Sequence, residues 1–191
     1  MAGNLPGDAR WWLVRHAQPM VEAGTCYGAT DQAADPGDTL RVALRLAPLL
    51  PPGCGVWTSP LQRCRVLADA LRSLRSDLAP CHADPRLAEM DFGCWEGQRW
   101  DQIPRHAFEA WTADFAGHAF GGRESLQQLM RRVDAARKEA ARSSGPQLWV
   151  THAGVMRAAR LLAAGTRELA TAAQWPRKAI AFGEHWRLPL P

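Results

Sequence analysis

Trp11-Trp12-Leu13-Val14-Arg15-His16-Ala17 is a run of four apolar residues that ends in an arginine and a histidine. Four such residues in a row, without alternation, suit a buried strand. Working outward, the same form recurs twice. Gly55-Val56-Trp57-Thr58 precedes Ser59-Pro60-Leu61-Gln62-Arg63, and Gln147-Leu148-Trp149-Val150 precedes Thr151-His152-Ala153-Gly154. Helical patterns separate the runs. Leu40 to Leu50 reads as a helix, with apolar residues at Leu40, Ala43, Leu44, Ala47 and Leu50, and Pro51-Pro52-Gly53 stops it. Ser59-Pro60 opens a second helix. Ser59 serves as its N-cap and Pro60 as its first residue, where a missing N–H is harmless. Leu61, Cys64, Leu67, Ala68, Leu71 and Leu74 mark its buried face. Ser125 starts a third helix, with Gln128 placed to complete a capping box. Its apolar face is Leu126, Leu129, Met130, Val133 and Ala136, and Ser143-Ser144-Gly145-Pro146 ends it. A fourth helix spans Gly154 to Ala164. Strands separated by helices predict an α/β fold: a three-layer sandwich whose mostly parallel sheet has helices on both faces.

Composition sets bounds on this reading. A chain of 191 residues predicts a single domain over 1–191. With 47% hydrophobic and 22% charged residues, it has the balance of a globular protein that buries an ordinary core. The net charge of +4 comes from scattered arginines, so no nucleic-acid partner is expected, while anionic substrates are favoured. Five cysteines, an odd number with no C-x-x-C pair, argue against a disulfide framework or a zinc site and for a reducing compartment. Met1-Ala2-Gly3-Asn4-Leu5-Pro6 lacks the basic and apolar regions of a signal peptide. No apolar run approaches the ~20 residues of a membrane span. A cytoplasmic protein, monomeric or homodimeric, is the expectation. Residues 86–122 are rich in Gly, Trp and Phe without clean periodicity. They predict a loop and short-helix segment that caps the site.

In open α/β sheets, ligands bind beyond the carboxyl ends of the strands. There the three runs offer Arg15 and His16, Arg63, and His152. An arginine in the first turn of a helix opposes the positive end of the helix dipole. A bound anion resolves that conflict, and phosphate fits a guanidinium best because two of its oxygens are held at once.

Those residues carry a resemblance. Leu13-Val14-Arg15-His16-Ala17, Ser59-Pro60-Leu61-Gln62-Arg63-Cys64, Glu89-Met90-Asp91-Phe92-Gly93-Cys94-Trp95-Glu96-Gly97 and Val150-Thr151-His152-Ala153-Gly154-Val155 occur in the order found in the histidine phosphatase superfamily, which includes the cofactor-dependent phosphoglycerate mutases. Together they cover about residues 11–160. Cys26-Tyr27-Gly28-Ala29-Thr30-Asp31, the cysteine after Arg63 and the Asp91–Gly97 stretch resemble the alpha-ribazole phosphatase branch, which serves cobalamin assembly. The chain departs from the pattern at Ala17, where glycine is usual, at Pro19 and Glu22, at Gln32-Ala33-Ala34-Asp35, and at Arg123 before Glu124-Ser125. The last thirty or so residues carry no match.

The resemblance implies a phosphoglycerate mutase-like fold and a phosphomonoesterase acting through phospho-His16 on a small-molecule phosphate monoester such as alpha-ribazole 5′-phosphate. Arg15, Arg63, His152 and Ala153 then hold the phosphoryl group. Arginines beside His16 keep it neutral, and a backbone carbonyl on its other nitrogen fixes the tautomer. The charge on the transferred group sits on three oxygens, which the two arginines and a protonated His152 suit. With these cations and no carboxylate cluster, neither metal nor cofactor is expected. Glu89 is the acid that protonates the leaving alkoxide, and an arriving dianion favours the protonated form of a nearby carboxyl. Glu96 is the rival acid, in a motif that looks structural. Tyr27 and Trp95 are candidates for the substrate rim, with Trp95 read otherwise as a core aromatic and Tyr27 as a residue that packs its loop. The alternatives are a phosphoglycerate mutase-type transfer and a catalytically silent phosphate-binding module. The mutases resembled are longer, and the intact catalytic positions favour turnover.

Overall fold

Each of the three apolar runs is a strand of one five-stranded sheet. The structure is a computed structural model that describes residues 10–190, so the reading of Met1–Pro6 lies outside the described residues. The strands are β1 (Trp11–Arg15), β2 (Gly55–Thr58), β3 (His82–Ala83), β4 (Gln147–Thr151) and β5 (His185–Leu188), in the order β3-β2-β4-β1-β5. All neighbouring pairs are parallel except β1 and β5. The register puts Arg15 opposite Thr151 and Thr58 opposite Val150. The central strands therefore end level to within a residue, and the segments that leave them emerge along one edge.

The helices are α1 (Pro36–Leu46), α2 (Gln62–Leu74), α3 (Arg105–Ala113), α4 (Leu126–Ala140) and α5 (Ala153–Ala163). Successive strand side chains point to opposite faces. Trp11, Leu13 and Trp149 pack with Met130 and Val133 of α4 and Met156 of α5, while Trp12, Val14, Leu148 and Val150 pack with Val42 and Leu46 of α1 and Leu67 and Leu71 of α2. Because both faces are covered, neither needs polar residues, and the strands read as unbroken apolar runs. This is the three-layer α/β sandwich expected.

Several element boundaries differ from the sequence reading. α1 starts at Pro36, four residues before Leu40, because the Asp35 side chain caps it by accepting the Asp38 N–H at 2.6 Å. Its final turn, Ala47–Leu49, is a 3-10 helix, and Leu40 and Leu44 face solvent. Ser59 is not the cap of α2. The helix begins at Gln62 after an extended Leu61, and the Asp31 carboxylate caps it from a distance by accepting the Gln62 N–H at 2.6 Å. Leu74, assigned to the buried face of α2, is exposed. α5 begins one residue before the expected Gly154. The Ser125–Gln128 capping box of α4 is present as expected. Neither the two-residue β3 nor β5 is evident from the sequence pattern.

Residues 86–122 contain α3 and the 3-10 turns Gly93–Trp95 and Trp100–Gln102, gathered around the fully buried Phe120. Phe92, Trp95, Trp100, Phe108 and Trp111 pack on that ring. The turns at Gly93 and Gly121 touch back to back, both with positive φ; a Cβ on Gly121 would stand 1.8 Å from the Phe92 carbonyl oxygen. Among the described residues, no helix is long and apolar enough to cross a membrane.

Candidate active site at the strand ends

His16 leaves the end of β1 and is 1% exposed. Its N–H donates to the Thr151 carbonyl at 2.9 Å, and its carbonyl accepts the Gly183 N–H at 3.2 Å. The backbone that carries it is thus tied to β4 and to the approach to β5. The ring Nδ1 lies 2.7 Å from the Ala17 carbonyl oxygen. A carbonyl can only accept, so Nδ1 carries the proton and Nε2 keeps its lone pair. Burial, reinforced by Arg63 and then Arg15 and only partly offset by the Ala17 carbonyl, pulls the His16 pKa down to about 3.

The two arginines are held by main-chain carbonyls. Arg15 donates from Nη1 to Ile180 at 2.5 Å and lies 3.8 Å above the Phe182 ring. Arg63 is fully buried and donates to Thr30 at 2.7 Å and Gly28 at 2.6 Å. In both guanidinium groups the buried Nε has no hydrogen-bond partner among the described residues. Tyr27 sits half-buried beside both arginines, its ring 5.4 Å from the Arg63 guanidinium carbon. The 28–30 loop is fixed by Glu96, which accepts the Ala29, Thr30 and Phe92 N–H groups and the Thr30 hydroxyl. Burial opposes the charge on Glu96, but these bonds outweigh it and hold the carboxyl below its usual range. Its acceptor positions are occupied, consistent with a structural motif.

His152 follows β4 and meets His16 edge to face, with ring centres 5.1 Å apart. Its Nε2 is 2.8 Å from the Ser59 hydroxyl and 3.4 Å from the Cys64 sulfur. The protonated His152 expected against a transferring phosphoryl group is not the form that the surrounding protein favours by itself. Complete burial, together with Arg63 and His16, holds its pKa well below the ordinary histidine value, so the ring is neutral. Ala153 is the first residue of α5, whose N-cap His152 makes no side-chain cap bond.

Glu89 reaches the same helix end from the 86–122 segment. Its Oε2 accepts the Gly154 N–H at 2.9 Å, and its Oε1 accepts the Met90 N–H at 3.1 Å. Arg132 of α4 fixes the backbone behind it, donating to the carbonyls of Arg86, Ala88 and Glu89 while paired with Glu124. Glu89 also lines a cleft of about 580 Å³ and an apolar pocket of about 110 Å³. Trp95 is placed elsewhere: its ring packs on Phe120 and against the Gly121 turn. Among the described residues, no group of three or more His, Cys, Asp or Glu side chains could hold a metal ion.

The structure therefore brings His16, Arg15, Arg63, His152, Ala153, Glu89 and Tyr27 to one edge of the sheet. Sequence reasoning missed Ser59 as a partner of His152, because Pro60 after it reads as a helix start. It also missed Ile180 and Phe182, which reach Arg15 from a C-terminal segment without periodicity.

Comparisons with known proteins agree with this geometry. The family model for the histidine phosphatase superfamily, branch 1, matches residues 11–178. The adenosylcobalamin/alpha-ribazole phosphatase of Salmonella typhimurium is 29% identical over 158 residues, covering 77% of this chain and 75% of that protein. A solved structure of phosphoglycerate mutase from Thermus thermophilus superposes with a TM-score of 0.65 at 29% identity, covering 95% of this chain and 99% of that one. The mycobacterial glucosyl-3-phosphoglycerate phosphatase in complex with VO3 gives a TM-score of 0.76 at 23% identity over 92% and 90% of the two chains, a likeness of fold. The chain belongs to the histidine phosphatase superfamily, branch 1, and is a phosphatase.

Proposed function

We propose that this phosphatase hydrolyses small-molecule phosphate monoesters through a phosphohistidine on His16. The observation that carries the reading is the state of that ring: neutral, with Nδ1 spoken for by the Ala17 carbonyl and Nε2 free beside two arginines. Nε2 attacks phosphorus. The P–N bond forms as the ester P–O bond breaks, and Glu89 gives its proton to the leaving oxygen. The unpartnered Nε–H groups of Arg15 and Arg63 are donors available to the phosphoryl oxygens. An arriving dianion places opposite charge beside His152, which favours its imidazolium form and makes it a further donor. Water then attacks phospho-His16 and yields a proton to Glu89. The P–N bond breaks, inorganic phosphate leaves, and both residues return to their starting states.

The likeness to the Salmonella alpha-ribazole phosphatase makes alpha-ribazole 5′-phosphate the first substrate to try. The test is a screen of phosphate monoesters that includes it, p-nitrophenyl phosphate and 3-phosphoglycerate, with acid- and base-quenched samples probed for phosphohistidine. Release of phosphate with base-stable label on His16 is expected. Transfer of the phosphoryl group to another position of 3-phosphoglycerate, in place of its release, would replace hydrolysis by a mutase reaction. If alpha-ribazole 5′-phosphate is no better than p-nitrophenyl phosphate, the substrate assignment fails while the phosphohistidine stands.

A further inference from the structure

We infer that Phe182 is a positioning residue: the C-terminal turn Ala181–Glu184 lays its ring on the Arg15 guanidinium and fixes that group for the phosphoryl oxygens. The inference rests on the phosphate-holding role proposed for Arg15. Ile180 and Phe182 lie just beyond residues 11–178, the span that the family model matches.

A guanidinium grips an oxyanion best through two parallel N–H bonds. Three arginines of this protein show which edge does so. Arg75, Arg86 and Arg132 each present Nε and Nη2 side by side to one carboxylate, those of Asp77, Asp84 and Glu124, at 2.6–3.0 Å. Arg15 differs. The Ile180 carbonyl takes Nη1, the nitrogen outside that edge, and the buried Nε has no partner among the described residues. The Phe182 ring centre lies 3.8 Å from the guanidinium carbon and 5.6 Å from the centre of the His16 ring. A bond at one tip and a ring on one face hold the plane of the group and leave the Nε–H without a protein acceptor. Tyr27 borders the guanidinium too. Burial pushes its phenol above the ordinary pKa, so it is neutral and sets no competing anion beside Arg15.

Packing does not account for the ring. Phe182 is half-exposed and joins none of the three apolar clusters among the described residues. The turn that carries it is closed on itself: the Glu184 N–H donates to the Ala181 carbonyl at 3.0 Å, and the Glu184 carboxylate accepts the Ala181 N–H at 2.8 Å. The Gly183 N–H donates to the Arg15 and His16 carbonyls at 3.1 and 3.2 Å, and the Gly183 carbonyl accepts from Arg45 of α1 at 2.8 Å. Gly183 has a φ of +69°, and a Cβ there would stand 2.4 Å from the Val42 side chain. The turn is therefore tied to the backbone that carries Arg15 and His16, and it brings the ring to them.

The experiment titrates the protein calorimetrically with orthovanadate, which needs no turnover, and measures kcat/KM for p-nitrophenyl phosphate beside it. Phe182→Leu keeps an apolar side chain and removes the π face. Its vanadate affinity and its kcat/KM should each fall by about three- to tenfold, the loss of one cation–π contact. Phe182→Tyr keeps the face and should stay within about twofold of wild type. Arg15→Lys lacks the planar fork. In that background Phe182→Leu should cost less than about twofold, because two residues that act through one contact are not additive. Equal losses in the two backgrounds would make Phe182 a structural residue and overturn the inference, as would wild-type vanadate affinity in Phe182→Leu. Wild-type affinity in Arg15→Lys would remove the phosphate-holding role of Arg15 and the inference with it. If vanadate binding responds as expected but the wild-type protein forms no phosphohistidine, the positioning role stands and the catalytic reading fails.

Discussion

His16, Arg63 and His152 hang from β1, α2 and the end of β4, elements locked by sheet register and by helix layers on both faces. Glu89 belongs to no helix or strand itself, and its position depends on one ion pair, three carbonyl contacts and a helix end. The phosphate end proposed for the site is thus built into the sheet, whereas the proposed leaving-group end is attached to it. Superfamily members share the first problem, holding a phosphoryl group, and differ in the second, accommodating the group it is attached to. Placing the second task on a separately packed segment, gathered around Phe120, lets it vary without moving the strand ends.

The comparison predicts that damage at the two ends will differ in kind. His16→Ala removes the nucleophile and should lower kcat by roughly 10⁴–10⁶ for every ester, with no phosphohistidine in rapid-quench samples. Glu89→Gln keeps the shape and removes the acid. Alkyl phosphates release a basic alkoxide, so their turnover should fall by roughly 10²–10⁴, while p-nitrophenyl phosphate loses far less at the phosphoryl-transfer step. Water attack also slows, because the same residue serves as base. A burst of p-nitrophenol followed by slow turnover, with label accumulating on His16, is the expected trace. An equal loss on both esters without a trapped intermediate would give Glu89 a binding role and erase the distinction between the two ends.

The parts of the molecule legible in the sequence follow the same division. Strands covered on both faces have no polar alternation, so Trp11–Val14 and Gln147–Val150 stand out, and the residues after them are located by the strand-end rule. Glu89 has no such signal: only the resemblance of Glu89–Gly97 to a family motif selects it. Trp95 belongs to the same motif but packs on Phe120, because motif membership does not distinguish a residue that lines a site from one that supports it. Ser59 misleads for a local reason. Serine before proline is a good helix start, yet Asp31 takes the capping role from 31 residues away and frees Ser59 for His152. Phe182 and Ile180 contact Arg15 through a turn leading into β5, a strand with mixed exposure and hence no readable period.

Arg132 tests the attachment of the leaving-group end directly. Arg132 holds the carbonyls of Arg86, Ala88 and Glu89 and pairs with Glu124. Arg132→Lys keeps the charge but cannot reach all three carbonyls, so Glu89 should shift. A displacement of that order costs up to roughly 10²-fold in rate. As a positioning residue, Arg132 should reproduce the leaving-group pattern of Glu89→Gln in weaker form, with alkyl esters affected more than p-nitrophenyl phosphate. A uniform loss across esters would mean that Arg132 only supports the fold.

The smallest effect concerns the phosphate end and reads the state of His16 without substrate. Its pKa is about 3 in the folded protein, against 6.5 for an ordinary histidine. Between those values the unfolded chain binds a proton that the folded one does not, so folding stability is lost as pH falls through that window. One such histidine contributes up to about 1.4 kcal/mol per pH unit. His152, and His185 beside β1, are also held below the ordinary value by burial, so they add with the same sign. Carboxylates held low, such as Asp84, where bonds from Arg86 outweigh burial, contribute mainly below about pH 5. Urea unfolding between pH 6.5 and 5 therefore isolates the histidines. Wild type should lose stability more steeply than His16→Asn, by up to about 1.4 kcal/mol per pH unit. Parallel slopes would mean that folded His16 takes up the proton as readily as the unfolded chain does, leaving no free Nε2 for attack at the acid end of the range.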